Sequence, residues 1–275
     1  MFQGTAYTDI GPRKKSNQDS ACVEIIETPY GQAALITVCD GVGGLASGEL
    51  ASASLVNWLS NWFESQFMVG LAPCVGNHAL FVDYVTRELN IGIDTMNAAI
   101  RQHGLETEAR LGTTCSVAVL FDGYYAIAQI GDSRVYKVNP GQMSILTQDQ
   151  TWVAQEVARG NITPETARFH PKRNVILQAV GSQLDIQPVF SSGIYKAGDT
   201  FMVCCDGFRN ELFDDEIIEG FGNCAHQSES EMYETCERMV KMVLDRGEKD
   251  NITVAVLTCQ DENDISDDVM PTAML

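Results

Sequence analysis

Residues 113–138, TTCSVAVLFDGYYAIAQIGDSRVYKV, contain three apolar runs rich in β-branched residues, with only short polar segments between them. Runs of this length and composition are typical of β-strands. Short connections favour antiparallel pairing, because neighbouring parallel strands need a long crossover between them. This stretch therefore predicts an antiparallel sheet in the middle of the chain.

Similar apolar runs lie on both sides of this stretch, which extends the predicted strands through most of the chain. They are SACVEIIET at 20–28, QAALITVC at 32–39, IQPVFSSGIY at 186–195, TFMVCC at 200–205 and NITVAVLTC at 251–259.

Three helical segments are grouped apart from these strand runs. Apolar residues recur at helical spacing from Leu55 to Phe63, through residues 78–103, and from Met232 to Val243. Strands and helices in separate runs favour a layered α+β architecture over a Rossmann-like α/β fold.

Residues 1–259 are predicted to form one domain, which includes a flap-like segment and is followed by a tail. Residues 153–172, VAQEVARGNITPETARFHPK, are polar and contain two prolines, which predicts a flap-like excursion over a site. Residues 260–275 are acidic and lack periodicity, so we expect a tail without fixed structure.

Charge and composition limit the possible partners. The formal net charge of −19 disfavours nucleic acid and anionic membrane. No segment approaches the run of about 20 apolar residues that spans a bilayer, so no membrane association is expected. The nine cysteines include no pairs at zinc-ligand spacing, which predicts free, buried thiols in a reducing, cytoplasmic compartment. An anionic substrate would need bound cations to reverse the local field.

Five aspartates flank the apolar runs: Asp40, Asp132 and Asp206 follow a run, whereas Asp19 and Asp250 precede one. The end of one antiparallel strand and the start of its neighbour share a rim, so all five carboxylates can face one cleft. Carboxylates gathered without basic partners favour bound cations, and oxygen ligands select Mg²⁺, Mn²⁺ or Ca²⁺. The alternative is that each aspartate is an ordinary turn residue.

The turn DGVGG at 40–44 has two interpretations. A glycine-rich turn after a strand can hold a dinucleotide phosphate, but this turn lacks the full GxGxxG spacing. Glycines beside a metal-binding aspartate instead let backbone carbonyls approach a hydrated ion. The Gly41 carbonyl is therefore a candidate metal ligand.

Six short motifs occur in one order along the chain. They are SNQD at 16–19, DGVGG at 40–44, GTT at 112–114, GDSR at 131–134, CDGF at 205–208 and DN at 250–251. From about Thr5 to Leu257 the chain resembles the PPM (PP2C-like) serine/threonine protein phosphatases, notably their compact bacterial members. The resemblance implies a four-layer α-β-β-α sandwich, two antiparallel sheets flanked by helices, with a metal centre at one end.

The resemblance also implies roles for the aspartates. Asp40 would bridge two core Mn²⁺ or Mg²⁺ ions, Asp206 and Asp250 would complete the first ion's shell, and the Gly41 carbonyl would bind the second. Asp19 would hold metal-bound waters, and Asp132 with Asp206 would bind a third, weaker ion. The implied reaction is hydrolysis of phosphoserine or phosphothreonine in proteins by a water that bridges the core ions.

Two positions depart from the family pattern. Lys14 stands where the family usually has a phosphate-gripping arginine, and Arg13 beside it is the alternative. Leu45 stands where several relatives have a histidine that can act as general acid, which leaves the proton donor open.

The expected role is that of a monomer that opposes a bacterial eukaryote-like Ser/Thr kinase by acting on its phosphoprotein substrates. A phosphoprotein-binding protein without turnover and a phosphatase of small phosphoesters are the alternatives.

Overall fold

The computed structural model describes residues 1–42 and 48–260. Its strands are β1 (Phe2–Asp9), β2 (Asp19–Thr28), β3 (Gly31–Asp40), β4 (Cys115–Phe121), β5 (Tyr124–Ile130), β6 (Arg134–Asn139), β7 (Gln142–Ile145), β8 (Val189–Ile194), β9 (Thr200–Cys204) and β10 (Ile252–Cys259). Its α-helices are α1 (Gly48–Ser65), α2 (His78–Glu106), α3 (Trp152–Ala158), α4 (Pro164–Arg168), α5 (Asp206–Arg209), α6 (Asp214–Phe221) and α7 (Glu229–Asp245).

The strands form two antiparallel sheets of five strands each. The first has the order β1-β10-β9-β6-β7, and the second has the order β2-β3-β4-β5-β8. Helices α1 and α2 pack on the second sheet, and α7 packs on β1 and β10 of the first. The two sheets contact each other through β10, β1, β2 and β3. The predicted α-β-β-α sandwich is confirmed.

Both faces of β3 are buried, which explains its continuous apolar run. Ile36 belongs to the core between the sheets, together with Ile127 and Phe201. Its neighbour Leu35 points to the opposite face and packs in the core beneath α1 and α2, with Phe81. A strand between two apolar layers needs no polar alternation.

Strand β1 was not predicted, because its sequence, FQGTAYTD, is not an apolar run. It pairs with β10 along its whole length, from Phe2 opposite Cys259 to Asp9 opposite Ile252. Tertiary pairing therefore forms this edge strand where local composition gives little indication of it.

The polar segment at 153–172 contains two short helices. Thr151 caps α3 by accepting a hydrogen bond from the Ala154 N–H, and Thr163 caps α4 through the Thr166 N–H. Its function as a flap stays a prediction. At the predicted tail, the Gln260 N–H donates to the Met1 carbonyl at 2.7 Å. The rest of the tail and Leu45 lie outside the described residues.

All nine cysteines are free thiols. In the part of the chain that the structure describes, no helix combines the length and apolar character needed to cross a membrane.

Candidate metal centre

The register of β2 and β3 places two aspartates side by side. Asp19 begins β2 directly opposite Asp40, which ends β3. The chain continues into Gly41, whose N–H donates to the Gln18 carbonyl at 2.9 Å. A Cβ on Gly41 would lie 2.6 Å from that carbonyl oxygen and from the Gly48 backbone, so only glycine fits this close approach.

The first sheet brings the remaining aspartates to the same end. Asp206 follows β9, Asp250 precedes β10, and Asp132 lies in the turn between β5 and β6. Because β9 pairs with both β6 and β10, these positions converge. We call Asp19, Asp40, Asp132, Asp206 and Asp250 the carboxylate rim.

A cavity of about 320 Å³ opens at the carboxylate rim. Its lining comprises Lys14, Asp40, Val42, Thr114, Asp132, Asn174, Ile176, Asp206 and Asp250. Of the predicted site residues, Asp19, Gly41 and Arg13 are not in the lining. Asp19 lies behind the cavity with one carboxylate oxygen within 4.8 Å of both an Asp40 oxygen and the Cys205 sulfur. Arg13 is exposed and forms no ion pair with the described residues.

Burial and mutual repulsion raise the pKa of four rim carboxyls, those of Asp19, Asp40, Asp132 and Asp206. Burial and the charges of Asp19, Asp206, Asp132 and Asp250 raise the pKa of Asp40 well above its ordinary value. Burial and the Asp206 charge raise the pKa of Asp19 to about 6. Such carboxylates are stabilised in their ionised form by bound cations.

The Asp19 carboxylate is poorly satisfied, although the nearby Thr253 and Cys205 side chains oppose the rise in its pKa. Neither of its buried oxygens has a partner among the described residues. Burial raises the pKa of the neighbouring Cys205 thiol well above its ordinary value, and the charges of Asp19 and Asp40 add to this effect. The thiol therefore stays neutral, and the donors left are hard oxygens, which fit Mg²⁺ or Mn²⁺.

Lys14 provides a positive charge beside Asp250. Its ammonium group forms an ion pair with the Asp250 carboxylate, and the lysine side chain is 29% exposed. Burial opposes the charged form of Lys14, but the hydrogen bond and charge of Asp250, together with the charges of Asp40 and Asp19, outweigh burial and raise the lysine pKa. Lys14 therefore contributes a positive charge to the wall of the cavity.

Asp132 has a different environment, because it contacts an arginine. The Arg209 Nη2 atom lies 3.5 Å from Asp132 Oδ2 and 3.4 Å from Asp149 Oδ2. Arg134 grips Asp149 with two hydrogen bonds of 2.8 and 2.7 Å. Burial and the Asp206 charge raise the pKa of Asp132 to about 7, and Arg209 opposes this rise. The charge of Arg209 also opposes the rise that burial causes in the pKa of Asp206.

The sequence motif at 250–251 includes a positioning residue to which no role was assigned. The buried Asn251 side chain donates to the carbonyls of Ile10 and Ser16 at 2.8 and 3.2 Å, and it accepts from the Gln18 N–H at 3.0 Å. It ties the loop that carries Lys14 to the strand that follows Asp250. Arg209, Asp149 and Asn174 were also missed, and no motif signalled them.

A second cavity, of about 720 Å³, adjoins the first and shares Asp132, Asn174 and Asp206 with it. It lies between the α3–α4 segment and the region of α5 and α6. Its lining includes apolar side chains such as Val157 and Phe213.

Known proteins resemble this chain in sequence. The family described as Protein phosphatase 2C matches residues 12–245. Protein phosphatase PhpP of Streptococcus pneumoniae is 30% identical over 258 residues, which cover 93% of this chain and 97% of PhpP. Serine/threonine protein phosphatase PstP of Mycobacterium tuberculosis is 30% identical over 259 residues, or 93% of this chain. The chain spans only 45% of the length of PstP.

Two solved structures extend the similarity to three dimensions. Serine/threonine phosphatase Stp1 from Staphylococcus aureus matches with a TM-score of 0.78 and 26% identity, covering 95% of this chain and 96% of Stp1. The catalytic domain of PstP in complex with two manganese ions matches with a TM-score of 0.73 and 26% identity, covering 94% and 99%.

The two-sheet α-β-β-α sandwich is thus the fold of serine/threonine phosphatases such as Stp1 and PstP. The chain belongs to the protein phosphatase 2C family.

Proposed function

We propose that this chain hydrolyses phosphoserine and phosphothreonine in proteins with two Mn²⁺ or Mg²⁺ ions held at the carboxylate rim. The observation that carries the proposal is the convergence of Asp40, Asp206 and Asp250 on one cavity. Buried acidic side chains in this number favour divalent cations, which in turn attract a phosphate to an otherwise strongly acidic protein.

We assign the ligands as the family resemblance implies. Asp40 would contact both ions, Asp206 and Asp250 would hold the first, and the Gly41 carbonyl would hold the second. Asp19 would act through water, in keeping with its place outside the cavity lining and its two unpartnered oxygens. Bound divalent ions supply Lewis acidity, lowering the pKa of water and neutralising charge that develops on the phosphate.

The chain's own cation binds and orients the phosphate. Lys14 lines the cavity, whereas Arg13 beside it does not, so we assign the phosphate contact to Lys14. A lysine provides a point charge rather than the two-pronged contact of an arginine. No histidine lines the described part of the cavity, so the leaving alkoxide takes its proton from water in this proposal.

The adjoining larger cavity favours a protein substrate over a small phosphoester. A phosphorylated side chain fits the space at the carboxylate rim, and the chain segments that flank it can enter the apolar space beside α3 and α4. We place the enzyme in the cytoplasm as a monomer that reverses a bacterial Ser/Thr kinase, in keeping with relatives that are named serine/threonine phosphatases.

The test is phosphate release from a phosphothreonine peptide, measured with Mn²⁺, with EDTA, and with the Asp40→Asn and Asp206→Asn proteins. We expect turnover that requires Mn²⁺ and falls at least about 1,000-fold in either variant, because several kcal/mol of charge stabilisation are lost. Asp94→Asn, at an exposed position of α2, is the matched control and keeps full activity.

Absence of turnover in a protein that binds Mn²⁺ would overturn the proposal. It would favour a protein that binds phosphoproteins without hydrolysing them. Faster hydrolysis of free phosphothreonine, which has the same leaving group, than of the peptide would instead contradict the protein substrate.

A further inference from the structure

Arg209 lies where the family resemblance predicts a third metal ion. It ends α5, three residues after Asp206, and its Nη2 atom approaches Asp132 twice. That atom donates to the Asp132 backbone carbonyl at 3.1 Å and lies 3.5 Å from the Asp132 carboxylate. Asp132 and Asp206 are the two residues expected to hold the third ion.

The guanidinium group is fixed by its surroundings. The same Nη2 atom is 3.4 Å from Asp149 Oδ2, and Nη1 donates to Asn210 Oδ1 at 3.3 Å. The Arg209 side chain is 13% exposed and the Asp132 side chain 6% exposed, so water screens their interaction weakly. Arg134 holds Asp149 in turn with a bidentate contact. Acidic and basic side chains therefore alternate in the order Asp132, Arg209, Asp149 and Arg134.

A fixed guanidinium disfavours a divalent ion on the same carboxylate in two ways. Its positive charge repels the ion across a short distance in a poorly screened site. In addition, Mg²⁺ and Mn²⁺ need free carboxylate oxygens in a regular coordination shell, and Arg209 already lies beside one oxygen of Asp132.

We propose that Arg209 takes the cation position on Asp132, so that the site where the family resemblance places a third divalent ion is closed while the guanidinium group is in place. The inference rests on the proposed two-ion centre. Among the described residues, no arginine forms an ion pair with Asp40 or Asp250. The partner of Asp250 is Lys14, whose flexible side chain can move aside when an ion binds. The rim can therefore bind metal ions at Asp40 and Asp250, whereas at Asp132 the Arg209 guanidinium group takes the place of an ion.

The experiment counts bound Mn²⁺ by isothermal titration calorimetry and by the EPR signal of free Mn²⁺. We expect two tightly bound ions in the unaltered protein. In Arg209→Gln we expect a third ion, with an affinity at least about tenfold higher than the unaltered protein shows for its third ion, because the repelling charge is gone. The Arg209→Gln/Asp132→Asn double variant loses this third ion again.

Arg168→Gln is the matched control for loss of an arginine near the site. Arg168 lines the larger cavity and donates to the Leu212 carbonyl, with no ion pair to the carboxylate rim. This variant should keep two tightly bound ions.

A second variant keeps the inference falsifiable if Arg209→Gln does not fold. Asp132→Asn in the otherwise unaltered protein should leave the whole Mn²⁺ binding isotherm unchanged, including its weakest phase, because Asp132 does not hold an ion. Loss of an ion in Asp132→Asn, or three tight ions in the unaltered protein, would overturn the role of Arg209 and leave the phosphatase proposal intact. Binding of no Mn²⁺ at all would overturn the metal centre and this inference with it.

Discussion

The two sides of the carboxylate rim bury acidic groups to a similar extent but neutralise them differently. On the β2–β3 side, Asp19 and Asp40 lie opposite each other, and neither forms an ion pair with a described residue. On the β6 side, Asp132 and Asp149 alternate with Arg209 and Arg134. Among the described residues, one side has no cation paired with its carboxylates, whereas the other side carries two arginines.

This difference predicts that removing an acidic side chain changes the free energy of unfolding in opposite directions on the two sides. Like charges that are buried together destabilise the fold until a cation binds, so removing one of them relieves repulsion. A buried acid that is already paired has the opposite effect, since its removal leaves cations without partners. Substitutions on the two sides should therefore shift the free energy of unfolding in opposite directions.

The largest effect is expected on the paired side, from Asp149→Asn. This change leaves Arg134 and Arg209 close together without their shared anion, and we expect the free energy of unfolding to fall by about 3 kcal/mol. Urea denaturation at pH 7 in EDTA measures it. Asp83→Asn, which alters a largely exposed ion pair on α2, is the control and should change little. A loss no larger than that of the control would show that the paired side is not stabilised by its charges.

The opposite sign is expected on the unpaired side, from Asp19→Asn. The asparagine removes a buried charge whose oxygens have no hydrogen-bond partner among the described residues. We expect the metal-free protein to gain about 2 kcal/mol at pH 8, because the Asp19 pKa lies near 6 rather than at its ordinary value. The same variant should bind Mn²⁺ more weakly in a calorimetric titration. Destabilisation in EDTA would contradict the unpaired character of this side.

The pH dependence of stability sharpens the comparison. A carboxyl whose pKa is raised on folding binds its proton more tightly in the native state, so its stabilising contribution is lost as pH rises. The pKa of Asp19 rises to about 6 and that of Asp132 to about 7, so the metal-free protein should lose stability between about pH 4 and pH 7.

Thermal unfolding in EDTA and in Mn²⁺ between pH 5 and pH 8 tests this dependence. The melting temperature should fall with pH in EDTA and rise in Mn²⁺, because ion binding requires ionised carboxylates. The Asp19→Asn protein should show a flatter profile in EDTA. A melting temperature that rises with pH in EDTA would contradict the raised pKa values.

The sequence predicts the rim aspartates better than it predicts the groups that pair with Asp132. Asp40, Asp206 and Asp250 each flank an apolar strand, so their positions at strand ends follow from the strand pattern. Which strands are neighbours does not follow from that pattern. Asp149 meets Arg209 because β6 and β9 pair, with Arg134 opposite Cys204. A contact between residues 60 positions apart depends on sheet register, which local composition does not contain.

The strands also divide into those that the sequence predicted and those that it did not. Continuous apolar runs such as that of β3 were identified because burial on both faces leaves a strong compositional signal. The edge strands β1 and β7 were missed, because an edge strand can be polar and depends on its neighbour for its structure.

The smallest effect concerns the phosphate contact, which decides between Lys14 and Arg13. Lys14→Ala removes the cation that lines the cavity beside Asp250, and we expect kcat/KM on a phosphothreonine peptide to fall about fivefold. Arg13→Ala should change it less than about twofold, because the exposed Arg13 side chain lies outside the cavity lining. Lys14→Arg should keep full activity, since an arginine offers two hydrogen bonds to a phosphate. A larger loss in Arg13→Ala than in Lys14→Ala would mean that the loop shifts by one residue when substrate binds. Asn251, which ties this loop to the strand after Asp250, would then have to release it.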